Sequence, residues 1–360
     1  MLDRGEAVAV HYLRDPLTND PVNLRLDAYK FSESHSFPAR ITGDGGEHSD
    51  ELTLDADVNI PAVFTGGANR DILTGGAAND SLSGDDGPDV LSGNGGVDML
   101  LGGAGADRLI GGAGGDLLDG GDGEDTASYA TAPVGMTIDL RTLTFTGDGV
   151  GDTLVSIERY EGTNFADTID GNDAFNGLLS GLDGDDVIRG NGGDDLLDGG
   201  KGNDSLNGGA GNDFLIGGPG ADALDGGDGI DTIAYTSSKN PVVVSLRTGL
   251  GTGGDAQGDT LSNLEVLIGS PLPFGDLKRF YNMDGVPVPT GTGDTLEGSD
   301  GPDLISGLGG ADFIDGGAGN DWLYGDSNLV SGVLPSTVGF DVDTTHRPRS
   351  SGRFVGRRGD

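Results

Sequence analysis

The chain has no cysteine, one tryptophan, and only 20 basic residues against 60 acidic ones in a length of 360. Without cysteine there is no disulfide to staple the fold and no thiolate to hold a soft metal. That absence fits a secreted protein and a cytosolic one equally. The shortage of lysine and arginine leaves a net charge of −40. Such a charge excludes nucleic acid as a partner and sets anionic membranes against the main body of the chain. Aromatic residues make up 6% and hydrophobic ones 34%, too little for ordinary cores in a chain long enough for two or three domains. No apolar run approaches membrane-spanning length, and the opening MLDRGEAVAVHYLRD holds none of signal-peptide length.

Catalytic signatures are missing too. There is no His-Glu-x-x-His, no Gly-x-Ser-x-Gly elbow and no P-loop. Gly249, Gly251 and Gly254 match a dinucleotide fingerprint after a strand-like run at 242–246, but no helical pattern follows. The carboxylates are too many to single out a catalytic pair. The chain is therefore expected not to be an enzyme, although a longer parent enzyme would be consistent with it.

What is abundant is glycine, 71 residues of it, and it is in phase. The stretch 102–121, GGAGADRLIGGAGGDLLDGG, is built from nine-residue units. Two glycines open each unit and a third follows two places on, at Gly105 and Gly114. Aspartate takes the sixth place (Asp107, Asp116) and leucine the eighth (Leu109, Leu118). A disordered tract would have no need to keep aspartate and leucine at fixed places. Glycines permit a tight turn over the first five places. The last three alternate, so Leu109 points inward while Arg108 and Ile110 point out. One unit is thus a turn plus a short strand, and two units make a coil. Each turn stacks on the turn two units on, placing Asp89 over Asp107 on one edge and Asp98 over Asp116 on the other.

Carboxylates stacked at strand spacing repel unless a cation lies between them. The available ligands are carboxylate and main-chain carbonyl oxygens, a set that suits calcium better than magnesium. Zinc and copper fit poorly, since the four histidines (His11, His35, His48, His346) lie outside the repeats. The candidate ligands are Asp71, Asp80, Asp89, Asp98, Asp107, Asp116 and Asp125 in a first block, Asp186, Asp195, Asp204, Asp213, Asp222 and Asp231 in a second, and Asp303, Asp312 and Asp321 in a third. If each pair of same-edge turns holds one ion, the blocks take about ten.

These units resemble the glycine-rich nonapeptide of RTX, or haemolysin-type calcium-binding, proteins. The resemblance implies an all-β fold, a parallel β-roll or β-solenoid with calcium between its turns. It further implies export from a Gram-negative bacterium by a type I apparatus, and hence an extracellular place of action. The family leads one to expect a C-terminal export address poor in positive charge. Here the tail carries Arg347, Arg349, Arg353, Arg357 and Arg358, and departs from that expectation. It reads as a solvated tail, with contact to an anionic surface as the sharper alternative.

Block by block, residues 1–65 read as a β-rich segment or cap with strands near 11–13, 22–26 and 58–64. Repeats occupy 66–125, a strand-rich insertion 126–180, repeats 181–231, a second insertion 232–297 with a loop at 277–293, repeats 298–324, and a C-terminal cap with the basic tail 325–360. In the first block Asn69 and Ala78 replace the third glycine, and Asp85 and Asn94 the second. The insertions resemble one another: Asp125-Thr126-Ala127-Ser128-Tyr129 matches Asp231-Thr232-Ile233-Ala234-Tyr235, and Gly151-Asp152-Thr153-Leu154 matches Gly258-Asp259-Thr260-Leu261, with Glu158 and Glu265 in step. This duplication points to one continuous solenoid. Trp322, at an outward seventh place, is a candidate anchor for the cap. The reading is a monomeric calcium-binding module of a secreted bacterial protein that folds on calcium outside the cell. The alternatives are the C-terminal part of a longer secreted enzyme or toxin, and a calcium-stabilised surface adhesin or matrix protein.

Overall fold

A computed structural model describes residues 40–270, 294–308, 312–317 and 319–324, together with the backbone of the strands at 8–9, 23–26, 278–281, 287–290 and 334–335. The expected strand at 11–13, most of the loop 277–293 and the basic tail lie outside the described residues. The chain divides into two compact units, Met1–Asp167 and Thr168–Asp360. Both are all-β and largely parallel: stacked coils of the β-roll type, with no α-helix among the described residues.

In the first unit one sheet carries Ile41–Gly46, Ala62–Ala68, Ser81–Asp86, Met99–Gly105, Leu117–Gly123 and Thr153–Val155. The opposite sheet carries Glu51–Leu54, Ile72–Thr74, Val90–Gly95, Arg108–Ala113, Thr126–Ser128 and Arg159–Glu161. Within the repeats the chain alternates between them every nine residues, so a strand pairs with the strand 18 residues on: Leu82 with Leu100, Leu100 with Leu118, Leu91 with Leu109. That register stacks the eighth-place leucines between the sheets. Leu73, Leu82, Leu91, Leu100, Leu109 and Leu118 are wholly buried and, with Phe64, Leu52 and Leu54, form one narrow core. The strand foreseen at 58–64 begins instead at Ala62. Pro61 precedes it and has no N–H to give a ladder. Ile110, expected to face outward, is 8% exposed, because its strand lies against the insertion's short 3₁₀ turn Gly147–Gly149.

The second unit repeats this plan. Val187–Gly192, Ser205–Ala210 and Ala223–Asp228 stack on one side, and Leu196–Asp198, Phe214–Ile216 and Thr232–Ala234 on the other. Ile188, Leu197, Leu206, Leu215, Leu224, Ile233, Ile305 and Ile314 are buried. Leu323, in the last described coil, stacks on Ile305 and is only half-buried. Trp322 faces outward and is 43% exposed. The stretch with the dinucleotide-like glycines forms an antiparallel strand, Leu250–Thr252, and a three-residue 3₁₀ turn, Gly254–Ala256, with no helix for a phosphate to sit on.

Each insertion is a coil with one lengthened turn. The first leaves Thr126–Ser128, makes a hairpin of Thr137–Asp139 and Thr144–Phe145, and returns in register with Thr153 opposite Leu117. In the second, Thr260 returns opposite Ala223.

Candidate metal centres

The sixth place of each unit ends a turn and precedes a strand, so its side chain folds under the turn rather than into solvent. All sixteen candidate aspartates are buried, none more than 8% exposed. They form columns through a repeated hydrogen bond in which, along a block, a carboxylate accepts the main-chain N–H of the aspartate 18 residues before it. On one edge of the first unit the N–H of Asp71 donates to Oδ1 of Asp89 at 2.7 Å, Asp89 to Asp107 at 2.8 Å and Asp107 to Asp125 at 2.8 Å. On the other edge Asp80 donates to Asp98 at 2.7 Å and Asp98 to Asp116 at 2.8 Å. The second unit runs Asp195 to Asp213 to Asp231 and Asp186 to Asp204 to Asp222, all at 2.8–2.9 Å. Asp303 donates to Asp321 at 3.2 Å, and Asp294 to Asp312 at 2.9 Å.

Only one oxygen of each carboxylate is used this way. The buried Oδ2 atoms of Asp71, Asp89, Asp98, Asp107, Asp116, Asp125, Asp195, Asp204, Asp213, Asp222 and Asp231 have no hydrogen-bond partner in the protein. Leaving an ionised oxygen buried and unpaired is costly, and the cost appears in the acidities. Burial pushes Asp98 up to about 7, its bond from the Asp80 N–H opposes this, and its neighbours Asp116 and Asp80 add like-charge repulsion. Asp107 rises to about 6 by burial, with Asp125 and Asp89 adding to it. Asp222 rises to about 7 and Asp213 to about 6 for the same reasons.

Most of the open oxygens lie beside main-chain carbonyls of the turn stacked 18 residues on. A Cβ on Gly102 would sit 2.5 Å from Oδ2 of Asp107 and 2.5 Å from the carbonyl oxygen of Gly120. That space admits no side chain, which is why the first place is glycine. The second place takes a positive φ, +115° at Gly103. Where glycine is replaced there, Asp85 (φ +70°) and Asn94 (φ +69°) hold the same conformation, and Asn69 (φ +79°) holds it at the fourth place. Asparagine and aspartate tolerate that region better than other side chains. Ala78 does not adopt it, and its turn differs: the Gly76 N–H donates to Oδ2 of Asp80 at 2.7 Å. Ser299 closes its turn likewise, its N–H and hydroxyl both reaching Asp303.

The columns also contain members that the nine-residue period does not reveal. Asp152 and Asp259 accept the N–H of Asp116 and Asp222 at 2.8 and 3.0 Å. Glu158 and Glu265 accept those of Asp125 and Asp231 at 2.9 and 3.0 Å. Asn176 donates to Asp195, and Asp294 accepts from Val242. Their separations from their partners are broken by insertions, so only the matched duplication could have pointed to some of them.

Among the described residues no three side chains of His, Cys, Asp or Glu gather into a metal cluster. A cation here would be held by carboxylates of stacked turns together with glycine carbonyls, an all-oxygen set of the kind calcium accepts. The unpartnered Oδ2 atoms and the adjoining carbonyls fit such an ion. The family model of the RTX calcium-binding nonapeptide repeat (4 copies) matches residues 63–91, 92–127, 173–206, 199–233 and 290–327. None of the curated proteins matches the chain.

Proposed function

The chain carries RTX calcium-binding nonapeptide repeats over much of its length, and from that premise we propose that the two aspartate columns of each unit are calcium sites whose filling completes the fold. Repeats of this kind are typical of secreted bacterial proteins. The observation that carries the reading is the row of buried, unpartnered Oδ2 atoms beside turn carbonyls. Calcium would neutralise stacked carboxylates that otherwise repel. The sixteen sixth-place aspartates are the proposed ligands, with Asp80 and Asp303 the weakest because their turns already hydrogen-bond the second oxygen. Pairing same-edge turns gives about ten ions for the chain.

One buried aliphatic side chain per nine ordered residues makes a thin core, so metal binding and folding are coupled. The module stays expanded where calcium is scarce and compacts at extracellular levels, roughly 10⁻⁴–10⁻³ M. This suits a monomer that passes a type I apparatus unfolded and folds outside the cell. The test is the hydrodynamic radius of the purified chain across a calcium titration, with magnesium as control. A sharp contraction with calcium alone is expected; a radius indifferent to calcium would refute the reading.

A further inference from the structure

The two insertions lie mostly outside the matched repeats, yet each ends the columns of its block in the same asymmetric way. On one edge the last aspartates are Asp116 and Asp222. The next acids on that edge, Asp152 and Asp259, do not leave an oxygen open: the buried Tyr129 hydroxyl donates to Oδ2 of Asp152 at 3.0 Å, and Tyr235 to Oδ2 of Asp259 at 2.9 Å. A neutral donor holds the second oxygen of these acids. Oδ2 of Asp116 and Asp222 stays unpartnered, but the nearest atoms to a Cβ on Gly111 or Gly217 include no carbonyl oxygen of a following turn, so this edge closes without a cradle.

The other edge is not closed. Asp125 and Asp231 are 0% exposed, and their Oδ2 atoms have no partner. A Cβ on Gly120 would meet both Oδ2 of Asp125 and the carbonyl oxygen of Ser156; one on Gly226 would meet Oδ2 of Asp231 and the carbonyl oxygen of Asn263. Ser156 (φ +51°) and Asn263 (φ +52°) take a left-handed conformation, as the second-place residues of the repeats do. Two residues on, Glu158 and Glu265 receive the aspartate N–H through Oε2, the part played inside a block by the next aspartate. Two chain segments more than 100 residues apart thus rebuild one oxygen cradle without the nonapeptide sequence.

We propose that each insertion completes one more divalent-cation site, formed by Asp125, the Ser156 carbonyl and Glu158 in the first unit and by Asp231, the Asn263 carbonyl and Glu265 in the second, while tyrosine seals the opposite edge. The inference rests on the reading of the columns as calcium sites. Glutamate supplies the second carboxylate at these sites because its longer side chain spans a turn whose spacing the insertion has altered.

Equilibrium dialysis of the full chain against saturating calcium, with the sheet signal monitored by circular dichroism, tests it. Glu158→Gln and Glu265→Gln keep an acceptor for the aspartate N–H and remove the charge. Each is expected to bind one cation fewer than the parent, and the double variant two fewer, with the sheet retained. Tyr129→Phe with Tyr235→Phe is expected to lose none. Glu158→Asp, which keeps the charge and gives up reach, guards against loss of fold in the glutamine variants; the calcium concentration that fills the last site is expected to rise about tenfold. Glutamine variants that bind as many ions as a calcium-binding parent, or an aspartate variant that fills unchanged, overturn the proposal. A parent that binds no calcium at all sinks the reading of the columns instead.

Discussion

Two turns on the same edge of the first unit, 18 residues apart, differ in one respect. The turn before Asp98 reads Gly93-Asn94-Gly95-Gly96-Val97, with positive φ at Asn94 and Gly96, and leaves Oδ2 of Asp98 unpartnered. The turn before Asp80 reads Gly75-Gly76-Ala77-Ala78-Asn79, has no positive φ, and spends its Gly76 N–H on Oδ2 of Asp80. Both aspartates are buried and both belong to the column. The difference teaches that the aspartate alone does not make an open site; the handedness of the backbone before it does. Ser299 makes the same point in the second unit.

The comparison can be broken most forcefully by removing the carboxylates. Asp107→Ala takes away an open oxygen and the acceptor of the Asp89 N–H. The calcium concentration for half-folding is expected to rise at least tenfold, about 1.4 kcal/mol or more. Asp80→Ala loses hydrogen bonds from Ala62 and Gly76 and one of the weakest proposed ligands. It is expected to cost about 1–3 kcal/mol of stability and to raise the half-folding calcium concentration less than Asp107→Ala does. Both are read by calcium titration followed by circular dichroism, with Lys30→Ala as a control expected to change nothing. An equal rise in the two aspartate variants would erase the distinction.

Acidity sharpens the comparison next. The open carboxylates have pKa values raised above the ordinary 3.8, to about 7 for Asp98 and about 6 for Asp107, by burial and by like charges. A folded chain without metal therefore holds more protons than an unfolded one between about pH 4 and 7, so its stability is fully present at the acid end and falls as pH rises through that window. Calcium requires the ionised form, which reverses the trend. Titrations at pH 5 and pH 8 are expected to show folding at several-fold lower calcium at pH 8. No pH dependence would mean these carboxylates are not the ligands. The smallest effect is expected of Ala78→Gly, which restores the glycine pattern to the closed turn. It should free Oδ2 of Asp80 and raise the bound calcium by at most one ion, measured by equilibrium dialysis.

Much of this was legible in the sequence because the period is short and exact in its phase. Nine residues per turn and strand fixed the 18-residue register, and with it the stacking of Leu91 on Leu109 and of Asp89 on Asp107. What could not be read there depended on the insertions. Asp152 lies 36 residues from Asp116 and Asp294 lies 52 from Val242, so no fixed spacing marks them. The burial of Ile110 has the same origin, since the cover over its strand comes from the insertion's 3₁₀ turn. The duplication did match Tyr129 to Tyr235 and Glu158 to Glu265 in the sequence. Their partners emerged only once the coils were stacked. The contrast between Asn69 and Ala78 was visible as two substitutions of glycine, but its consequence depends on which side chain accepts a positive φ.

The central claim is that cations between stacked turns do the work that a larger apolar core does in other folds. Far-UV circular dichroism of the full chain tests it most directly, first stripped with EDTA and then returned to about 1 mM calcium, within the range of extracellular modules. The account predicts a largely disordered spectrum without metal and a sheet spectrum restored by calcium. The same sheet spectrum in both conditions would contradict it.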